Sequence, residues 1–241
     1  MKIGIIVVSH YSNIYKHFDA IRRDIFTREK IPCIFSYNGE HPEIPLPWET
    51  VYRDSGMHPM MYNKFIQTYM DIPELSDVDF IVRVNSSTFL SPKPLIKLIN
   101  SLPTANCYAG PKLGHDPDAC ISGMCIIFSR DVMNKLCERG LTSDNIPDDV
   151  NIGNFMRSNG INYTDTDLSK IKQIRLEPGF VNIINNNTIL PEEHEIYSQM
   201  IGQPITRIKN ENRLLDTQIW NILYSKYIYE NRNRYNIATE G

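Results

Sequence analysis

Short apolar runs alternate along the chain with longer segments in which apolar residues recur every three or four positions. The runs that predict buried strands lie at 2–8, 31–37, 80–84 and 124–128. The first periodic segment predicts an amphipathic helix through Ile14, Phe18, Ile21 and Ile25. Strands that alternate with helices predict an α/β fold. We expect a mostly parallel, Rossmann-like sheet flanked by helices, with a long helix at the C-terminal end.

Residues that commonly begin helices follow several of the predicted strands. Ser91, which precedes a proline, and Ser129 are each expected to cap a helix with the side chain. Asp148 follows Pro147 and is expected to cap the next helix in the same way. One further strand is predicted at 181–184.

A polar cluster ends the third predicted strand. The run Phe-Ile-Val-Arg-Val is followed by Asn85, Ser86 and Ser87, and the first strand is followed by Ser9 and His10. Open α/β sheets bind their ligands at the carboxyl ends of parallel strands, so these side chains are candidate ligand contacts. Serine and asparagine also satisfy main-chain groups where strands end, and the cluster can do both.

The charge and the cysteines narrow the class of protein. The 241 residues carry a net charge of −3, which argues against a nucleic-acid-binding protein, because phosphate contacts need a basic surface. No apolar stretch is long enough for a transmembrane segment, and the first strand is too short for a signal peptide.

The five cysteines form no CxxC pair and are expected to be free thiols of a cytoplasmic protein. The sequence Val-Val-Ser-His-Tyr-Ser-Asn lacks the glycines of a dinucleotide-binding fingerprint.

Three motifs stand in order along the first two thirds of the chain. They are Arg-Val-Asn-Ser-Ser-Thr-Phe-Leu-Ser-Pro at 83–92, Cys120–Gly123 leading to Ile127–Asp131, and Pro147–Gly153. In this order and spacing they resemble the GT-A glycosyltransferases of the β-1,3-galactosyltransferase and fringe type. Weaker similarities are Ala20–Arg22, and Asp54-Ser55 followed by Lys64. The first motif is also similar to soluble bacterial and viral glycosyltransferase-like proteins.

This resemblance implies an inverting glycosyltransferase that moves a sugar from a nucleotide-sugar donor, in the family commonly a UDP-sugar, to a glycan hydroxyl. Asp149 matches the family's catalytic base, which takes the proton from the acceptor; a helix-capping role is the alternative. Ser122 and Gly123 match a loop that contacts sugar, where glycine permits a close approach. Asp54 and Lys64 match a donor-binding segment, although a solvated helix face explains Lys64 equally well.

The chain departs from the family at the metal site. The family's three aspartates bind a divalent cation that bridges the donor diphosphate, and the matching positions here are Asn85, Ser86 and Ser87. Because hard cations prefer carboxylate oxygens, no metal cofactor is expected, although Mn²⁺ and Mg²⁺ stay open. Basic side chains can neutralise a diphosphate instead. The candidates are Arg22, Arg83, Arg207, Lys209 and Arg213.

The C-terminal basic residues are the preferred replacement for the metal charge. Arg207 and Lys209 alternate with Ile208, so in a strand they share one face; a solvated basic rim is the equal alternative. We expect a GT-A domain over 1–205, with a basic segment and helix over 206–241 packed on it. The alternative function is a catalytically degenerate GT-A domain that only binds a nucleotide sugar or a glycan.

Overall fold

The computed structural model describes residues 1–38, 45–52, 60–116, 118–166, 203–209 and 213–236. The candidate donor-binding residue Asp54 and the predicted strand at 181–184 lie outside these residues. Within them the chain forms a mixed α/β fold with helices on both faces of a central sheet. No helix in these ranges combines the length and the apolar character needed to cross a bilayer. The five cysteines are free, as predicted.

The strands of the described residues are β1 (Ile3–Val8), β2 (Cys33–Asn38), β3 (Glu49–Tyr52), β4 (Phe80–Asn85), β5 (Thr88–Leu90), β6 (Tyr108–Ala109), β7 (Lys112–Leu113), β8 (Cys120–Ile121), β9 (Cys125–Ser129) and β10 (Ile205–Arg207). The helices are α1 (Asn13–Arg28), α2 (Met60–Asp71), α3 (Pro92–Asn100), α4 (Arg130–Arg139), α5 (Asp148–Ser158) and α6 (Arg213–Asn236). The four predicted strands correspond to β1, β2, β4 and β9, with boundaries that differ by one or two residues.

Among the described residues, the central sheet has six strands in the order β3-β2-β1-β4-β9-β6. The strands from β3 to β4 are parallel, whereas β9 runs antiparallel to β4 and β6. The prediction of a mostly parallel sheet flanked by helices is therefore confirmed. Val8 at the end of β1 lies opposite Ser36 on one side and Asn85 on the other. This register brings the ends of β1, β2 and β4 together at what we call the carboxyl end of the sheet.

Alternate residues of the central strands fill two hydrophobic layers, one on each face. Ile5 and Val82 face a layer formed with α1, α3 and α6. Ile6 and Ile81 face the other layer, formed with α2, α4 and α5. Strands covered on both faces need apolar residues at successive positions, which explains the continuous apolar runs in the sequence.

The serines before α3 and α4 occupy the N-cap positions, but neither makes the predicted side-chain cap. After Ser91, prolines stand at the first and third helical positions, Pro92 and Pro94. Proline has no N–H group, so one of the two usual donors to a capping side chain is missing. Ser129 instead accepts a hydrogen bond from the main-chain nitrogen of Cys107 at 2.9 Å.

The segment β10 and the helix α6 attach to the preceding residues at two places. β10 pairs antiparallel with β5, with Arg207 opposite Thr88. Trp220 of α6 is fully buried; it stacks on Phe18 with ring centroids 4.6 Å apart and meets Phe89 edge-on at 5.0 Å. The C-terminal helix therefore packs into the same core as α1, and a domain boundary at residue 205 stays a prediction.

Gly153 lets α5 lie close against β8. A Cβ atom at Gly153 would stand 2.5 Å from the Cβ atom of Cys120. Glycine inside a helix costs about 1 kcal/mol relative to alanine, and this close approach explains why it is used here. The packing sets the first turn of α5, including Asp149, beside the loop at Gly123.

Candidate functional site

The carboxyl end of the sheet brings together several of the predicted site residues. Ser9 follows β1 and is buried, whereas His10 is exposed. The segment Asn85–Thr88, which we call the polar turn, connects β4 to β5 and lies beside the end of β1 in the parallel register. Thr88 Oγ1 lies 2.9 Å from the main-chain oxygen of Met124 and 2.8 Å from Asn85 Oδ1. Its one proton is shared between these acceptors, and the contact joins the polar turn to the loop before β9.

The oxygen atoms of the polar turn are engaged within the protein. Asn85 Oδ1 accepts hydrogen bonds from Ser87 Oγ at 3.1 Å and Thr88 Oγ1 at 2.8 Å. The main-chain oxygen of Ser87 accepts from the nitrogen of Ile208 at 2.9 Å. Ser86 and Ser87 are buried, and Asn85 is partly exposed. The cluster therefore satisfies strand-end groups, and its contact with a ligand stays a prediction.

Arg22 lies below the polar turn and is 1 % exposed. Its Nη2 atom donates to three main-chain oxygens of the turn at 3.3, 2.7 and 2.7 Å. Its Nη1 atom pairs with Asp19 at 2.6 Å, and the ring of Trp220 lies 4.5 Å from the guanidinium carbon. Asp19 also accepts from Ser9 Oγ at 2.8 Å and from Tyr37 at 3.1 Å. Arg22 thus holds the turn from the interior, and direct contact with a ligand stays a prediction.

Arg83 of β4 forms a second buried ion pair at the carboxyl end. Its guanidinium donates to the carboxylate of Asp148 and to the main-chain oxygen of Gly123. The predicted capping role of Asp148 is wrong, because Pro147 occupies the N-cap position and the carboxylate is directed at Arg83. A buried charge without a partner is costly, which favours this pairing over a cap.

Asp149 is half-buried in the first turn of α5, where the helix dipole favours a negative charge. Its Oδ2 atom accepts from the main-chain nitrogen of Gly123 at 2.9 Å, and Oδ1 accepts from that of Val150 at 2.9 Å. A Cβ atom at Gly123 would stand 3.0 Å from Arg83 Nη1 and 3.3 Å from Asp149 Oδ2. Glycine therefore lets both charged groups approach this loop. The adjacent Ser122 is buried and turned into its own loop.

Lys64 of α2 is 3 % exposed, so its assignment to a solvated helix face is wrong. Its ammonium donates to the main-chain oxygen of Ser9 at 2.8 Å, with no carboxylate of the described residues in ion-pair distance. Burial, and then the charge of Arg83, lowers the pKa of Lys64 to about 7. Among the described residues, the buried ionisable groups at this end of the sheet are three basic side chains, Arg22, Lys64 and Arg83, and two carboxylates, Asp19 and Asp148. Lys64 is about half protonated near pH 7, and a bound anion would favour its protonated form, so the set suits an anionic ligand.

The C-terminal basic residues reach the polar turn through β10. Arg207 stands opposite Thr88, and Lys209 is exposed and has no ionic partner within the described ranges. Arg213 instead pairs with Asp216 inside α6. The structure therefore brings Arg207 and Lys209 to the polar turn, while Arg213 is engaged in its own helix.

The polar turn does not suit a divalent cation. Hard cations need several available oxygen ligands, preferably carboxylates. The main-chain oxygens of the turn and Asn85 Oδ1 already accept hydrogen bonds, and the charge of Arg22 lies directly below them. Across the part of the chain that the structure describes, no group of three or more His, Cys, Asp and Glu side chains could hold a metal ion.

Sequence reasoning missed three residues that support this end of the sheet: Asp19, Tyr37 and Trp220. A signal for the first of them was present. Arg22 stands four residues after Phe18, on the buried face of α1, and Asp19 stands three residues before Arg22. A charged pair at this spacing on an apolar face predicts a buried ion pair.

Comparisons with known proteins find similarity in structure but not in sequence. No protein-family model matches the sequence, and no curated protein matches it significantly. One similar structure is a glycosyltransferase involved in the glycosylation of the major capsid of PBCV-1, with a TM-score of 0.47 and 10% identity over 92% of this chain and 100% of that chain. Another is the catalytic domain of Drosophila β1,4-galactosyltransferase 7, in a complex with xylobiose, with a TM-score of 0.43 and 13% identity over 70% of this chain and 67% of that chain.

Proposed function

We propose that this chain is an inverting glycosyltransferase that moves a sugar from a nucleotide-sugar donor, by its resemblance a UDP-sugar, to a glycan hydroxyl without a metal cofactor. The observation that carries the proposal is a half-buried carboxylate, Asp149, at the same end of the sheet as three buried basic side chains, Arg22, Lys64 and Arg83. The three motifs supply the reaction class. A base and a cationic site for a leaving diphosphate are the two parts that this reaction needs.

Asp149 takes the proton from the acceptor hydroxyl while that oxygen attacks the anomeric carbon of the donor sugar. The bond from the anomeric carbon to the diphosphate oxygen breaks on the opposite side, so the configuration inverts and the nucleoside diphosphate leaves. Negative charge grows on the leaving group and needs preorganised donors. Arg207 and Lys209 supply cationic donors, Lys64 adds charge from the interior, and the polar turn supplies amide and hydroxyl donors. Ser9 and His10, at the end of β1, hold the nucleotide.

Asp149→Asn tests the role of the base. The amide keeps the shape of the side chain but cannot take a proton, so we expect transfer to fall at least about 100-fold. Donor affinity should change less than about threefold, because the ligand-binding charges stay in place. A thermal-shift panel of nucleotide sugars selects the donor, and release of nucleoside diphosphate with calorimetry gives the turnover and the affinity.

Glu74→Gln is the matched control, because Glu74 is exposed and precedes β4, at the opposite end of the sheet. It should leave both readings unchanged. Near-normal turnover in Asp149→Asn refutes the assignment of the base. A wild-type protein that binds a nucleotide sugar but never releases the sugar is a binding module instead.

Removal of metal tests the proposed cation-based stabilisation of the diphosphate. We expect the same transfer rate with EDTA as with added Mn²⁺ or Mg²⁺, because the oxygens of the polar turn already accept hydrogen bonds. A rate that depends strictly on Mn²⁺ contradicts this part of the proposal.

A further inference from the structure

Gly123 links Arg83 to Asp149 through its own main chain. Its carbonyl oxygen accepts a hydrogen bond from Arg83 Nη1, and its N–H group donates to Asp149 Oδ2 at 2.9 Å. The position of Gly123 therefore depends on both charged side chains. Any rotation of the peptide groups around Gly123 changes the direction of the N–H group that orients the Asp149 carboxylate.

Arg83 also holds the helix that carries Asp149. Its Nη2 atom donates to the carboxylate of Asp148, the first residue of α5. Arg83 thus grips the loop through Gly123 and the helix through Asp148, and Asp149 lies where the two meet. The planar guanidinium can hold both acceptors at a fixed angle, which a lysine ammonium, a single point charge, cannot do.

Arg83 is poorly placed to contact a ligand. The side chain is 1 % exposed, and both terminal nitrogens donate to groups of the protein. The absence of a side chain at Gly123 brings Arg83 and Asp149 near the same Cα atom, since a Cβ there would stand within 3.0 and 3.3 Å of them. This crowding makes the orientation of Asp149 sensitive to small displacements of Arg83.

We propose that Arg83 is a positioning residue for the Asp149 carboxylate and acts through the Gly123 main chain. The expected effect on sugar transfer rests on the proposed function, whereas the link from Arg83 through Gly123 to Asp149 does not. It is a physical coupling between a buried guanidinium, a main-chain N–H group and a carboxylate, so it can be measured without any substrate.

The first test observes the Gly123 amide by NMR in protein labelled with ¹⁵N-glycine, which gives at most twelve signals. Asp149→Asn should move the Gly123 signal at neutral pH, because the Gly123 N–H group then faces an amide in place of a carboxylate. When Asp149→Asn is made in Arg83→Lys, we expect this movement to be at most half as large. The signal of Gly110, which is packed against Cys125, stays in place as a control for the fold.

A movement of the Gly123 signal on Asp149→Asn that is as large in Arg83→Lys as in the wild type overturns the proposal. If Arg83→Lys does not fold, Asp148→Asn replaces it, because the amide keeps the volume but removes the charge that anchors Nη2 of Arg83. Loss of the movement in Asp148→Asn supports the link, and a full wild-type movement refutes it.

The second test uses the kinetics of transfer. Arg83→Lys should lower kcat at least tenfold and leave the KM for the donor within threefold, since the base is misplaced and the ligand contacts are not. Combined with Asp149→Asn, it should cause little further loss, because both changes disable the same base. A rise in KM with an unchanged kcat identifies Arg83 as a ligand contact and overturns the proposal. If the wild type transfers no sugar, the proposed function fails, while the NMR result still decides the positioning role.

Discussion

Lys64 offers a quantitative test of the charge below the carboxyl end of the sheet. Its side chain is 3 % exposed, and its ammonium donates to the main-chain oxygen of Ser9. Lys64→Met keeps an unbranched side chain of similar length and removes the titrating group. The difference in unfolding free energy between this variant and the wild type then reports the cost of burying the charge.

The direction of the pH dependence follows from the pKa. The ordinary pKa of 10.5 falls to about 7 in the folded chain, so between these values the unfolded chain binds the additional proton. Wild-type stability therefore rises with pH in this window, by up to about 1.4 kcal/mol per pH unit. Below pH 7 the lysine is charged in both states, and the full cost, on the order of 5 kcal/mol, is present. Since Lys64 is half protonated near pH 7, the gain up to pH 9 is about 2 kcal/mol.

Urea unfolding of both proteins at pH 7, 8 and 9, followed by the fluorescence of Trp48 and Trp220, measures this gain. The stability advantage of Lys64→Met over the wild type should shrink by about 2 kcal/mol from pH 7 to pH 9. Lys97→Met is the control, because Lys97 is exposed on α3 and its difference from the wild type should not change with pH. If the stability advantage of Lys64→Met over the wild type stays constant or grows with pH, burial does not lower the pKa of Lys64 as argued.

Two further predictions concern packing and the donor site. Gly153→Ala should lower the unfolding free energy in urea by about 1–3 kcal/mol, because the new methyl group overlaps β8; a gain of about 1 kcal/mol, as helix propensity alone predicts, contradicts the close packing. Changing Arg207 and Lys209 together to alanine should weaken donor binding in calorimetry at least about tenfold, and less at high salt. The same change at Lys93 and Lys97 on α3 is the control. If the two double variants bind the donor with equal affinity, Arg207 and Lys209 form only a solvated basic rim.

The sequence pattern predicts the elements of the fold better than the direction of the strands. Apolar runs identify β1 and β4 because these strands are covered on both faces, so every position along them is buried except Asn85 at the end of β4. Such a run contains no information on direction. β9 is another apolar run, yet it is antiparallel to β4, with Ile127 opposite Val82. Its direction is set by the chain between β4 and β9, where β5, α3 and the short strands β6 to β8 intervene.

The supporting charges of the site could be predicted only in part. Arg83 stands between Val82 and Val84 in a strand covered on both faces, so its burial follows from the sequence. Its partner cannot be predicted in this way, since Asp148 lies 65 residues further along the chain. Lys64 sits one residue before Phe65 on α2, and its burial depends on how that helix meets the end of β1, which no local pattern determines.

The polar turn differs from the metal site of the family that the sequence resembles in more than its lack of carboxylates. Three of its main-chain oxygens accept hydrogen bonds from Arg22, and an oxygen directed at a buried guanidinium cannot also face a cation on the outer side of the turn. Replacing Asn85 by aspartate would add a carboxylate at the place where the hydroxyl groups of Ser87 and Thr88 donate, so one of its oxygens would be engaged within the turn. We therefore expect that an aspartate at position 85 alone would not create a metal site, because Arg22 still engages the main-chain oxygens of the turn.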